Sequence, residues 1–106
     1  MDFSYLNAIG EGDLEFIQEF VSTFESNNET ILAEMQTSLS NRDFDKLGKL
    51  AHQLKPTIEM LGMKETLEKV TKMNDQPASV NQGDLDFVVI KANDALVALK
   101  TEYNVL

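Results

Sequence analysis

The sequence predicts an all-α protein, an antiparallel up-down four-helix bundle with a short extra N-terminal helix. Three observations lead there. Apolar residues recur at steps of three and four through four segments. No stretch alternates apolar and polar residues between hairpin turns. The breaks between segments are short: Gly10-Glu-Gly12, Ser40-Asn41, Gly62, and Asn74 to Gly83 with Pro77. A chain of 106 residues suits one domain, so residues 1–106 are read as a single unit.

The short N-terminal piece, Phe3 to Ile9, is apolar enough to cover one end of the core. The first long helix starts at Asp13, an N-cap residue type. Its stripe is Leu14, Ile17, Val21, Phe24, Ile31 and Met35, skipping Asn28 and widened by Phe20, Leu32 and Leu39. The second helix begins at Asp43 and carries the most regular seam, Phe44, Leu47, Ala51, Leu54, Ile58 and Leu61, thickened by Leu50. The third is short and shows Met63, Leu67, Val70 and Met73. Gln76 to Gly83 reads as a polar loop. The last helix shows Leu85, Val88, Ala92, Leu96, Leu99 and Tyr103, with Val89 and Ala95 beside them. Four helices apolar on one side bury those sides against each other.

Composition excludes several functions. There is no cysteine, so disulfides, thiolate metal sites and cysteine nucleophiles are absent. No apolar run approaches the roughly 20 residues of a membrane span. Residues 1–10 lack the basic and long apolar regions of a signal peptide. The expectation is a soluble, cytoplasmic, monomeric protein. A net charge of −9 argues against nucleic acid or an anionic membrane as partner. That charge is uneven. Residues 1–41 hold eight acids and no Lys or Arg, whereas Arg42, Lys46, Lys49 and Lys55 face only Asp43 and Asp45 within residues 42–55. This positive segment reads as a solvated face of mixed charge.

The inventory of reactive groups is thin. A single histidine, His52, rules out an all-histidine metal site. No glycine loop for phosphate is present, and no carboxylate pair stands out for acid–base chemistry. On its helix, His52 lies roughly 130° from the apolar seam, so it faces water. Its neighbours three, four and seven residues away are Asp45, Gly48, Lys49, Lys55, Pro56 and Glu59; Gln53 follows it directly. Gly48 and Pro56 are compact and leave the ring accessible. A neutral imidazole nitrogen is a competent nucleophile near neutral pH. Lys55 and Lys49 could offset the charge of a phosphoryl group placed on it. An incidental surface histidine is the other reading of the same residues.

The string Leu50-Ala-His-Gln-Leu-Lys-Pro56, followed by Leu61-Gly62, resembles the signature of histidine-containing phosphotransfer (HPt) domains. Ala51, His52, Leu54, Lys55 and Gly62 match that pattern, and Thr57 stands where serine is frequent. The likeness extends over nearly the whole chain: an acidic N-terminal helix, Asp43-Phe44 ahead of the histidine helix, and a four-helix layout. The resemblance implies a carrier in a multistep phosphorelay, not an enzyme in its own right, that exchanges phosphoryl groups with the aspartates of response-regulator receiver domains or a hybrid sensor kinase. It implies His52 as phospho-acceptor, Lys55 as the group that steadies the phosphoryl, and Gly62 as the tight junction between the second and third helices. It implies no cofactor on this chain; magnesium belongs to the receiver. Pro56 departs from the usual glycine. It removes the helical partner of the His52 carbonyl and disfavours helical geometry at Lys55, which predicts a kinked but continuous helix.

Two alternatives remain open at this level. One is the dimerising phospho-acceptor segment of a sensor histidine kinase. Those segments typically place an acid after the histidine, where this chain has Gln53, and a proline five residues on, where this chain has one at four. The other is a module of the same fold that binds receivers without transfer. Phe16, Phe20 and Leu50 are the expected apolar docking residues.

Overall fold

Asp13 and Asp43 open the two helices that dominate the architecture. In the computed structural model, which describes residues 2–10 and 13–103, the elements are α1 (Ser4–Gly10), α2 (Leu14–Ser40), α3 (Phe44–Met60), α4 (Lys64–Asp75), a 3-10 turn (Pro77–Ser79) and α5 (Gln82–Glu102). Glu11 and Gly12 of the first predicted break lie outside the described residues. Asp13 accepts a hydrogen bond from the Phe16 N–H, and Asp43 accepts one from the Lys46 N–H. The protein is a helical bundle. Helix α3 packs against α2 and α4, and α5 packs against the same two. Helix α1 lies on α2 and is tied to the end of α5, where the Tyr103 hydroxyl donates to Asn7 Oδ1. Among the described residues no helix is long and apolar enough to cross a membrane.

Several expected positions are corrected. Leu14 is half exposed, at 52%, because it occupies the first turn of α2 beyond the main contact with its neighbours. Asn28, skipped in the apolar stripe, is buried at 2% exposure, and its Nδ2 donates to Asn93 Oδ1 on α5 at 3.2 Å. The pairing of two amides across α2 and α5 lets the stripe continue through a polar residue. The segment Gln76 to Gly83 is not all loop. The Asn81 side chain accepts from the Asp84 N–H while the Asp84 carboxylate accepts from the Asn81 N–H, and α5 therefore starts at Gln82. That backbone hydrogen bond from Asn81, reinforced by Lys69 and Lys72, holds the Asp84 carboxyl below the usual carboxylate range despite its burial. Val80, inside the expected polar loop, is buried.

The corners on either side of α3 share one design. At the end of α2, the Asp43 N–H donates to Ser38 O and the Arg42 N–H to Leu39 O; at the end of α3, the Met63 N–H donates to Ile58 O and the Gly62 N–H to Glu59 O. These are paired 6→1 and 5→2 bonds around one left-handed residue, with φ +56° at Arg42 and +63° at Gly62. Arg42 is exposed at its corner, and its side chain has room. Gly62 does not have that room: a Cβ there would stand 2.8 Å from the Asp2 carbonyl oxygen and 2.9 Å from Asp2 Cβ. The Asp2 N–H donates to Leu61 O and presses the N-terminal segment onto this corner. Gly62→Ala is therefore expected to lower folding stability by about 1–3 kcal/mol, through left-handed strain and displacement of Asp2. Urea denaturation of the pair measures it, and a loss under about 0.5 kcal/mol contradicts this account of the corner.

Candidate functional site

Helix α3 buries Leu47, Ala51, Leu54 and Ile58 and exposes the opposite side. That amphipathicity fixes the rotational setting of the helix, and His52 stands in water as a result. The helix runs unbroken through Pro56 to Met60. Both His52 and Pro56 are exposed, so the His52 carbonyl that Pro56 leaves without a helical partner has solvent in reach.

His52 borders an open concavity of about 430 Å³. One wall is α3 itself, with Lys49 and Gln53 nearest His52 along the helix and Asp45 and Phe44 about two turns back. The opposite wall is Asn74 at the end of α4 and Pro77 of the 3-10 turn. Gly48 lies between the walls. It is buried, not exposed beside the ring as its sequence position suggested, because the α4 C-terminus and Pro77 close over it. A Cβ at position 48 would touch Asn74 O and Pro77 Cγ at 3.5 Å, which is ordinary contact. A longer side chain there would fill the concavity next to His52.

The flanking charges differ. Lys49 Nζ lies 3.1 Å from Asp45 Oδ2, four residues earlier. Lys55 is partly buried and makes no ion pair among the described residues. Pro56 and Glu59 do not line the His52 concavity. They border a separate hollow with Met60 and Tyr5 of α1. Among the described residues no group of three or more His, Asp or Glu side chains is placed to hold a metal ion.

The expected docking residues separate. Leu50 is core, at 5% exposure, because it points between α3 and its neighbours. Phe20 is partly buried and stacks on Phe24 at 6.4 Å between ring centroids. Phe16 is exposed. It lies 24 residues before the end of α2, whereas His52 lies only eight residues into α3. At 1.5 Å per residue the two are about 24 Å apart along the bundle. Phe44, read from the sequence as a seam residue, and Asn74 and Pro77, read as part of a chain break, were not expected at the site. The Asn74–Pro77 stretch reads only as a chain break, and nothing local in it shows that it folds against the start of α3.

The site is thus an exposed sole histidine on the outer side of a bundle helix, with a lysine three residues on. The family model of the Hpt domain matches residues 19–104. The chain belongs to the Hpt domain family. Hpt domains are phosphotransfer modules of phosphorelay signalling, carriers rather than catalytic domains, and they interact with receiver domains. The match covers α3, α4 and α5 in full and α2 from Glu19 onward; α1 lies outside it. No curated protein and no solved structure matches the chain.

Proposed function

We propose that His52 accepts a phosphoryl group from the aspartate of one receiver domain and passes it to another, as one step of a multistep phosphorelay. The observation that carries this reading is the placement of His52: the chain's sole imidazole, exposed at a concavity on α3, in a family of phosphotransfer modules. A receiver phospho-aspartate docks over α3. The neutral ring, protonated at Nδ1, attacks phosphorus through Nε2 in line with the leaving carboxylate. The N–P bond forms as the carboxyl O–P bond breaks. The aspartate leaves as a carboxylate, and the ring, cationic after attack, gives its Nδ1 proton to solvent and takes one back in the reverse step. The reverse sequence passes the group onward.

A magnesium ion and lysine of the receiver would carry most of the charge stabilisation, and the reading assigns this chain no cofactor of its own. Lys55 supplies a local ammonium that steadies the phosphoryl group. The positive segment Arg42, Lys46, Lys49 and Lys55 favours approach of an acidic receiver face within a protein of net charge −9. The reading places the chain in the cytoplasm as a monomer without kinase activity, fed by a response regulator or hybrid sensor kinase.

The test mixes the protein with receiver domains carrying labelled phosphoryl groups. Label is expected to move to this chain, and ATP alone is expected to leave it unlabelled. A chain that takes label from no receiver in a broad panel overturns the reading. Lys55→Ala is expected to slow transfer while leaving stability within about 1 kcal/mol, because a partly exposed cation without an ion pair contributes little to folding. Rapid-quench transfer rates and a melting curve measure both. A large drop in melting temperature contradicts this placement of Lys55.

A further inference from the structure

Two lysines bracket His52. Lys49 lies three residues before it and Lys55 three after, so at about 100° per residue each stands about 60° to one side of the imidazole. They are not equivalent. Lys49 is held by Asp45 at 3.1 Å, while Lys55 is in no ion pair among the described residues. Asp45 is two turns before His52 and about 20° from it in direction. Asp45, Lys49 and His52 border the same concavity.

The Asp45–Lys49 pair lies in water, with side chains 83% and 72% exposed. Such a pair contributes about 0–1 kcal/mol, so a stronger anion at the same reach displaces it. A phosphoryl group carries about −1.5 to −2 charges near neutral pH, against one on the carboxylate. On His52 it would stand one helical turn from Lys49, where side chains three residues apart meet. The other charges on this side of α3 are Lys55 and Glu59. The facing elements line the concavity with the uncharged Asn74 and Pro77, and one carboxylate stands next to that wall, Asp75, whose Oδ1 accepts from Asn74 Nδ2.

Building on the phosphocarrier reading, we propose that Lys49 leaves Asp45 on phosphorylation and becomes a second cation on the phosphoryl group, with Asp45 as the positioning residue that limits its hold. Competition from Asp45 keeps the phosphoryl group less tightly held than two free lysines would hold it. The group therefore stays transferable to the next aspartate.

The experiment uses the full chain and phosphoramidate, a small-molecule donor that needs no receiver. The imidazole Nε2–P bond forms as the P–N bond of phosphoramidate breaks, and the proton released by the ring ends on ammonia. Phosphorus NMR then follows the pH midpoint of the phosphoryl group on His52. Asp45→Asn is expected to lower that midpoint by a few tenths of a unit, and Lys49→Ala to raise it. In a Lys49→Ala background the Asp45→Asn shift is expected to fall to less than half. An Asp45→Asn shift of the same size with and without Lys49, or no shift at all, overturns the proposal while leaving the carrier reading intact. A wild-type chain without a phosphohistidine signal overturns the carrier reading and this proposal with it. Melting curves on the variants confirm that each is folded when measured.

Discussion

His52→Gln is expected to reduce phosphoryl uptake from any receiver to background. Glutamine keeps a polar, uncharged side chain of similar reach but offers no nucleophilic ring nitrogen. Its amide nitrogen is delocalised into the carbonyl and its oxygen makes no stable phosphoryl adduct. On the proposed role of His52, the expected loss is chemical and not structural. His52 is exposed and makes no side-chain hydrogen bond among the described residues, so the substitution is expected to move stability by no more than about 0.5 kcal/mol. Circular dichroism and a denaturation curve set beside the transfer assay separate the two effects. Transfer that persists undiminished in a folded His52→Gln protein removes His52 from the mechanism.

Ile58→Ala gives the opposite pattern, a large structural effect with the chemistry retained. Ile58 is fully buried on α3, just beyond Pro56. Proline has already taken one hydrogen bond from this part of the helix, so side-chain packing carries more of the burden of keeping it in place. Its neighbours on the same seam, Leu54 and Leu61, are equally buried, and the site has little freedom to collapse. Truncation of a buried isoleucine costs about 2–5 kcal/mol, a large share of the roughly 5–15 kcal/mol that stabilises a domain of this size. The midpoint of urea unfolding is expected to fall accordingly. The folded fraction still presents His52 on the far side of the helix and is expected to accept label. A loss below about 1 kcal/mol contradicts the anchoring of α3 by this seam.

The legible parts of the fold are those with a local physical signal. Asp13 and Asp43 are cap residues followed by apolar periodicity, and each caps its helix. The steps of α3 from Leu47 to Leu61 gave its buried side, and with it the outward direction of His52. Gly62 stands where a left-handed residue joins two helices, and its φ of +63° meets that requirement. The missed features depend on partners distant in the chain. Asn28 is buried because Asn93 comes to meet it from α5. The start of α5 at Gln82 depends on a reciprocal bond between Asn81 and Asp84, polar residues that in isolation read as loop. Leu50 lies near the margin of its stripe, and only the positions of neighbouring helices decide which margin is covered.

The same division holds at the site. The order Lys49, His52, Lys55 along one helix is visible in the chain, since it needs only helical geometry. The far wall of the concavity, Asn74 and Pro77, is not, since it arises where α4 and the 3-10 turn return to α3. Nor does spacing show that Gly48 is covered or that Pro56 and Glu59 turn toward Tyr5. Lys49 and Asp45 are four residues apart and compatible with pairing from sequence alone, but many such exposed pairs do not form.

Peptide mapping by mass spectrometry, under conditions that preserve the acid-labile N–P bond, addresses the central assignment most directly. The chain is exposed to a phosphorylated receiver, digested at neutral to alkaline pH and mapped. The account predicts a single phosphorylated peptide, the one containing His52, with the modification lost on mild acid treatment. A phosphoryl group found on a serine, threonine or aspartate instead, with His52 unmodified, contradicts it.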